Sequence, residues 1–478
     1  MSDLISRREF LGVGAAGAGA VLLSTQLGSR PAMAGRDEEW PTKLPDVNIH
    51  KVYLAEHPSW PKPDLDIKAE VARLEEHLAQ TERQLGDVKF VGGELVRSPE
   101  EAAKVAAKFS RADGVLVFNL TCIVENLLAP ILDAGQPTVV FAQPYSGHDW
   151  CKVCKLHKTG KKVVLLATTD YGELTELGGV MRVAPRLRQT RIIHIGRQWG
   201  VTLSPQLKET LGVEIVPVEM ERFTKIYQAI DDKAVQAEAE RWIHQAEKVV
   251  EPSKQDILKA CRVSLAMEKV IEQEQARAIT VNCLGGFPLD ELGYPCLGFS
   301  KLNDRGIVAA CEADMDSTLT MLIFGYAFGV PGFISDPVFD TATDTVIHAH
   351  CVCATKMDGP AGPRCPYIIR NHLERYKGAA LQVKHRVGQP ITCAKLVKLN
   401  TMLISTGKII GSPDVDRGCR TKMATRVANA RSMLDNWGCG VVTGGMVEHL
   451  HRVVFYGNHL QNIKHLAVLT GLKVIEEV

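Results

Sequence analysis

The feature that most limits how this chain can fold is a set of short, unbroken apolar runs separated by amphipathic stretches. Between residues 49 and 143 the runs are His50–Leu54, Val88–Val91, Gly114–Asn119 and Thr138–Ala142. The stretches between them are Ile67–Gln84, Pro99–Ser110 and Ile123–Ala134. A strand with one wet face alternates apolar and polar residues, whereas a continuous apolar strand is buried on both faces. The pattern predicts a parallel sheet covered by helices. A second alternating unit begins near Lys161, with strands Lys162–Ala167, Arg191–Gly196 and Val213–Pro217. Helices at about Asp231–Val250 and Ser253–Glu274 follow, then strand Ala278–Cys283. Neither unit carries a G-x-G-x-x-G after its first strand, so a dinucleotide cofactor is not indicated.

From Pro295 the texture changes. Glycine, proline and cysteine rise, and the chain reads as short strands at Ala380–Lys384, Ile391–Leu399 and Met402–Ile410. It closes with strand Arg452–Tyr456, a turn at Gly457-Asn458 and a helix from Leu460 to Thr470. Three domains are expected: α/β over 45–160, α/β over 161–294, and a mixed domain with a β-rich core over 295–478. A length of 478 residues suits that division at roughly 100–200 residues per domain. Lys+Arg 56 against Asp+Glu 55 leaves a net charge of +1, which provides no field for holding nucleic acid. The partner is expected to be small.

The N-terminus reads as an address. Ser6-Arg7-Arg8-Glu9-Phe10-Leu11 is a twin-arginine pattern, followed by a Gly/Ala-rich apolar stretch to about Leu23 and a small-x-small cleavage site at Ala32-Met33-Ala34. Residues 1–34 are therefore expected to be a signal peptide read through Arg7 and Arg8 by the twin-arginine translocase. The mature protein would then be soluble, in the periplasm or otherwise exported. The apolar run is too short and too Gly-rich to span about 30 Å of hydrocarbon. Leu319–Ile334 is also short and interrupted by glycine and proline, and reads as a buried helix leading into a buried strand.

Thirteen cysteines are too few for a disulfide-stapled scaffold of this length, and Cys122, Cys283 and Cys311 lie in apolar runs where cysteine is a small hydrophobe. Cys151-x-x-Cys154 with His157 resembles half a zinc site without a matching second pair, and Cys351-x-Cys353 has the spacing of a thiolate pair on one strand face.

The richest stretch chemically is Val308–Met357. A buried strand, Gly306–Cys311, delivers Glu312, Asp314 and Asp316 just as a helix starts, where ligands of α/β folds collect. Strand Gly332–Ser335 delivers Asp336, and a third segment ends in His348-Ala349-His350-Cys351. Helix capping accounts for Asp314 or Asp316 but not for Asp336 and His350 as well. Carboxylates and histidine gathered at strand ends suit Mn²⁺, Mg²⁺ or Zn²⁺. His449-Leu450-His451 offers a further histidine, one ligand being expected from the pair.

Cys311-Glu312-Ala313-Asp314, Phe333-Ile334-Ser335-Asp336, His350-Cys351 and His451-Arg452-Val453-Val454-Phe455-Tyr456-Gly457 together resemble the L-fucose/L-arabinose isomerase superfamily. Gly378 through Cys393 is similar to that family's C-terminal β-rich segment. The resemblance implies two Rossmann-like α/β domains plus the C-terminal domain, a homo-trimer or homo-hexamer with sites between subunits, and aldose–ketose isomerisation of a small sugar with a divalent metal, usually Mn²⁺. It implies that Glu312 and Asp336 bind the metal and exchange the substrate proton, that His451 is a ligand, and that His350 is a fourth, as in the arabinose branch. His148, in the loop Gln143–His148, and Trp60 become candidate substrate contacts. Two other readings stay open: a silent sugar- or metal-binding protein on this fold, and an exported redox or metal-handling protein using the cysteine pairs.

Overall fold

The computed structural model describes residues 44–56, 62–122, 125–143, 147–196, 204–439 and 450–477. Arg7, Arg8, Trp60 and His449 lie outside the described residues.

Strands β1 (Val47–Leu54), β2 (Val88–Val96), β3 (Gly114–Asn119), β4 (Thr138–Ala142) and β5 (Val163–Ala167) form one sheet, ordered β2-β1-β3-β4-β5. Every pairing in it is parallel. All residues of β3 and β4 are buried, as continuous apolar runs require. Strands β6 (Arg191–Ile195), β7 (Glu214–Val218), β8 (Ala278–Val281) and β9 (Val308–Cys311) form a second parallel sheet, ordered β7-β6-β8-β9. In both sheets the winding direction reverses beside the first strand, which leaves a crevice at the carboxyl ends. The long helix Lys254–Glu274 that covers the second sheet starts with a capping box between Ser253 and Asp256.

Beyond this point the architecture is antiparallel. Strands β10 (Phe333–Asp340) and β11 (Thr345–His350) form a hairpin, as do β12 (Tyr367–His372) and β13 (Lys377–Val383). They are followed by β14 (Pro390–Val397), β15 (Thr401–Gly411), β16 (Thr421–Arg426), β17 (Arg452–Tyr456) and β18 (Lys473–Glu476). The order β14-β17-β10-β11-β16-β15, with β15 pairing back to β14, closes a ring. All pairings around it are antiparallel, and β18 adds to β15 in parallel. Closure removes sheet edges, so both sides of most strands are satisfied. The molecule is thus α/β, with parallel sheets and a separate mixed sheet.

Three strands of the sequence reading fall elsewhere or run further, and β12, β16 and β18 lie where it placed no strand. The run at 162–167, expected to open the second unit, is the edge of the first sheet as β5, paired Thr138↔Val163 through Ala142↔Ala167. The helix Asp149–Lys158 supplies the crossover that parallel pairing needs, and a local apolar pattern does not say which sheet it joins. Likewise β9 lies beyond residue 295 yet belongs to the second sheet. Strand β10 runs past Ser335 to Asp340, because β11 pairs it as far as Asp340↔Thr345. Pro337 lies where β10 pairs with β11, opposite His348, and beyond the stretch Phe333–Ser335 that β17 accompanies.

The stretch 319–334 is, as read, a buried helix (Met315–Phe328) leading into β10. Gly332, at the entry to β10, packs so closely that any Cβ would overlap Val453 and Met321. No helix among the described residues is long and apolar enough to cross a membrane.

Candidate active site

Two structural units deliver the site. Sheet two contributes the end of β9, where Glu312 and Ala313 take φ of 58° and 56°. That left-handed turn is uncommon for residues other than glycine, and it swings the chain from strand into helix with Glu312 at the junction. The ring contributes the rest from adjacent strands: Asp336 on β10, His350 at the end of β11, His451 just before β17, and Lys395 on β14.

Glu312, Asp336, His350 and His451 converge. Nε2 of His451 is 3.2 Å from Oδ1 of Asp336 and 3.6 Å from Oε2 of Glu312. Nε2 of His350 is 3.4 Å from Oε1 of Glu312 and 4.0 Å from Oδ2 of Asp336. Donor atoms of Asp336, His350 and His451 all lie within 4.8 Å of one another. The imidazoles are buried, with side-chain exposures of 6% and 10%, whereas Glu312 and Asp336 keep 30% and 38%. The cluster therefore opens to solvent on its carboxylate side.

Asp314 orients His451. It caps the helix Met315–Phe328 by accepting from the Ser317 N–H at 2.9 Å, as capping predicts. Its Oδ2 also accepts from Lys395 Nζ at 2.7 Å and faces His451 Nδ1 at 2.8 Å. A carboxylate on Nδ1 fixes the ring and turns Nε2 toward Glu312 and Asp336, the second partner that metal-binding histidines ordinarily have. The sequence reading recognised Asp314 only as a cap and missed Lys395. The available signal was a lysine inside the otherwise uncharged strand Pro390–Val397. Lys395 is 2% exposed, so its charge must be balanced locally, and Asp314 does this.

The electrostatics follow from this packing. Burial alone would raise the Glu312 carboxyl, but the hydrogen bond and charge of His350, with the charge of His451, hold it below the ordinary range. Asp336 behaves likewise, burial being outweighed by its hydrogen bond to His451 and by both imidazoles. Asp314 is buried, yet Lys395 and His451 hold it well below the ordinary range. Burial opposes the charged imidazoles, but Glu312 raises His350, and Asp314 with Asp336 lifts His451 to about 9.

The remaining candidates lie elsewhere. His148 is exposed at the N-cap of the helix Asp149–Lys158, at the carboxyl end of the first sheet. Cys151 and Cys154 are exposed on that same helix. Cys351 and Cys353 do not share a strand face: β11 ends at His350, and the two thiols pack into different cores. Cys311, read as a buried hydrophobe, is buried but also touches the site, with Sγ 3.7 Å from His350 Nε2.

No family model matches the chain. Sulfoquinovose isomerase of Priestia aryabhattai is 25% identical over 185 residues, 36% of this chain and 40% of that protein. The sulfoquinovose isomerase of Alkalicoccus urumqiensis is 25% identical over 205 residues, 39% of this chain and 44% of that protein. That of Clostridium sp. (strain MSTE9) is 33% identical over 92 residues, 19% of this chain and 20% of that protein. Over that part, the chain is related to sugar isomerases. It spans less than half the length of the curated relatives it matches.

Proposed function

We propose that this protein is a metal-dependent aldose–ketose isomerase acting on a free monosaccharide through a cis-enediolate, with sulfoquinovose the first substrate to test. The observation that carries the reading is the convergence of two partly exposed carboxylates with two buried imidazoles, one of them oriented by a third carboxylate. The donor set fits a divalent ion: oxygen and neutral imidazole nitrogen suit Mn²⁺, and Asp336, His350 and His451 are close enough to share one centre, with Glu312 3.4 Å from His350 and 3.6 Å from His451. Glu312, Asp336, His350 and His451 would hold it. When bound, such an ion polarises the sugar carbonyl and neighbouring hydroxyl and lowers the cost of the enediolate.

The chain's own groups do the rest. Asp336, the most exposed of the four and held ionised by its imidazole neighbours, takes the proton from the carbon beside the carbonyl. Glu312 faces the same space and completes the pair across which the proton is returned to the adjacent carbon. Asp314 and Lys395 keep the His451 ring from turning. The Arg7-Arg8 pattern supports export by the twin-arginine route, and a homo-trimer or homo-hexamer, with His148 and Trp60 of a neighbouring copy near the sugar, completes the proposal.

The test is incubation of Mn²⁺-loaded protein with a panel of aldoses, including sulfoquinovose, in D₂O. Ketose formation with deuterium entering at C1 or C2 supports the isomerase. Neither ketose nor deuterium from any sugar, with metal and sugar bound, would leave a binding protein on this fold.

Metal uptake should also expel protons. In metal-free protein at neutral pH, His451 is charged, because its folded value of about 9 exceeds an unfolded value of about 6.5. Its contribution to stability is complete below the unfolded value and fades as pH rises through about 9. An ion at Nε2 must displace that proton. Calorimetric titration in two buffers of different ionisation heat should show at least about one proton released per ion. A heat independent of buffer would remove His451 from the ligand set.

A further inference from the structure

The same cluster holds a second, softer combination of donors. Cys311, Glu312 and His350 offer a sulfur, an oxygen and a nitrogen that all lie within 4.8 Å of one another. Cys311 Sγ is 3.7 Å from His350 Nε2, and Glu312 Oε1 is 3.4 Å from the same nitrogen. A tetrahedral ion with bonds of about 2.0–2.3 Å to such donors separates them by about 3.3–3.8 Å. Both measured edges fall in that range.

We propose that Cys311, Glu312 and His350 form a distinct site for thiophilic divalent ions of the Zn²⁺ and Cd²⁺ class. It shares Glu312 and His350 with the ligand set proposed for Mn²⁺, so the two cannot be filled together. Depth separates them. Asp336 and Glu312 are 38% and 30% exposed, His350 only 6%, and Cys311 is 1% exposed. An ion arriving from solvent meets oxygen first. A hard ion gains nothing by moving further, whereas a soft one exchanges the Asp336 oxygen for a thiolate. The borderline imidazole of His350 serves either. On capture, the Cys311 proton passes to solvent and the thiolate binds the ion, so no oxidant is involved. Cys283, Cys296, Cys351 and Cys419 pack in or against the same core, but among the described residues none of them joins a converging group of donors. Cys311 is thus the thiol through which the centre discriminates between classes of metal, and thiophilic ions should displace Mn²⁺. Capture of such ions by this site does not depend on whether the protein turns over a sugar.

The experiment uses the full chain with the exposed Cys151 and Cys154 replaced by serine, stripped of metal and titrated with Cd²⁺. The readout is ultraviolet sulfur-to-cadmium charge-transfer absorption. One equivalent of Cd²⁺ should develop the band, and the same equivalent should expel bound Mn²⁺, seen as free ion by electron paramagnetic resonance. Cys311→Ser should abolish the band and weaken Cd²⁺ binding by at least about tenfold, while Mn²⁺ binding persists. Cys419→Ser should keep the band. Should Cys311→Ser not fold, judged by circular dichroism, Cys311→Ala is read in the same way. A band that survives removal of Cys311, or Cd²⁺ and Mn²⁺ bound simultaneously, would overturn the proposal. Failure of the unsubstituted protein to bind Mn²⁺ would instead count against the isomerase reading, and the loss of the Cd²⁺ band in Cys311→Ser would still support the thiophilic site.

Discussion

Asp336→Asn should lower turnover by roughly 10²–10⁴-fold, the usual worth of general acid–base catalysis, and added Mn²⁺ should not restore it. The amide keeps the carboxylate's shape but can neither accept a proton nor balance the two imidazoles that face it at 3.2 and 4.0 Å. His451→Gln is the informative contrast. His451 sits between Asp314 and the Asp336 and Glu312 carboxylates, so its loss should act mainly on metal affinity, and excess Mn²⁺ should return part of the activity. The discriminating measurement is the Mn²⁺ dependence of kcat for both variants. Isomerisation by Asp336→Asn at the unsubstituted rate would remove Asp336 as the base.

Asp314→Ala should destabilise the metal-free protein by about 3–5 kcal/mol, the cost of breaking a buried ion pair from one side. Lys395 would be left 2% exposed without its carboxylate, His451 would lose its Nδ1 partner, and the helix Met315–Phe328 would lose its cap. Lys395→Met in the same chain should recover a large part of that loss, because the stranded charge goes with it. Urea midpoints of the two single variants and the double variant give the coupling directly. Additive losses would show that the pair does not act as a unit. The Asp314 carboxyl is depressed in the fold, so its contribution is complete at neutral pH. It is lost only as pH falls below the unfolded value of about 3.9 and on through the folded one.

Much of the architecture was legible because burial writes a local pattern. Runs such as Gly114–Asn119 and Thr138–Ala142 appear as fully buried strands at the same residues, and Arg452–Tyr456 and Leu460–Thr470 match the reading residue for residue. Asp314 was legible as a cap because capping is decided within one helical turn. The pair His449-Leu450-His451 offered one ligand without saying which, and the resemblance chose His451; its partner Asp314 lies 137 residues away, where no spacing records it. Lys395 and Cys311 carried almost no signal: a lone lysine in a strand is ordinarily an edge residue, and a lone buried cysteine is ordinarily packing.

The sequence by itself determined many of the strands and helices, and that runs such as Gly114–Asn119 and Thr138–Ala142 are buried on both faces, because these depend on residues a few positions apart. Tertiary structure alone decided that β5 joins the first sheet and β9 the second, and that six later strands close into a ring. It also decided that Asp314 balances Lys395 and aims His451. Those outcomes rest on contacts between distant segments, where the entropy of closing long loops is offset only by the whole set of pairings, and no local period records which partner is chosen.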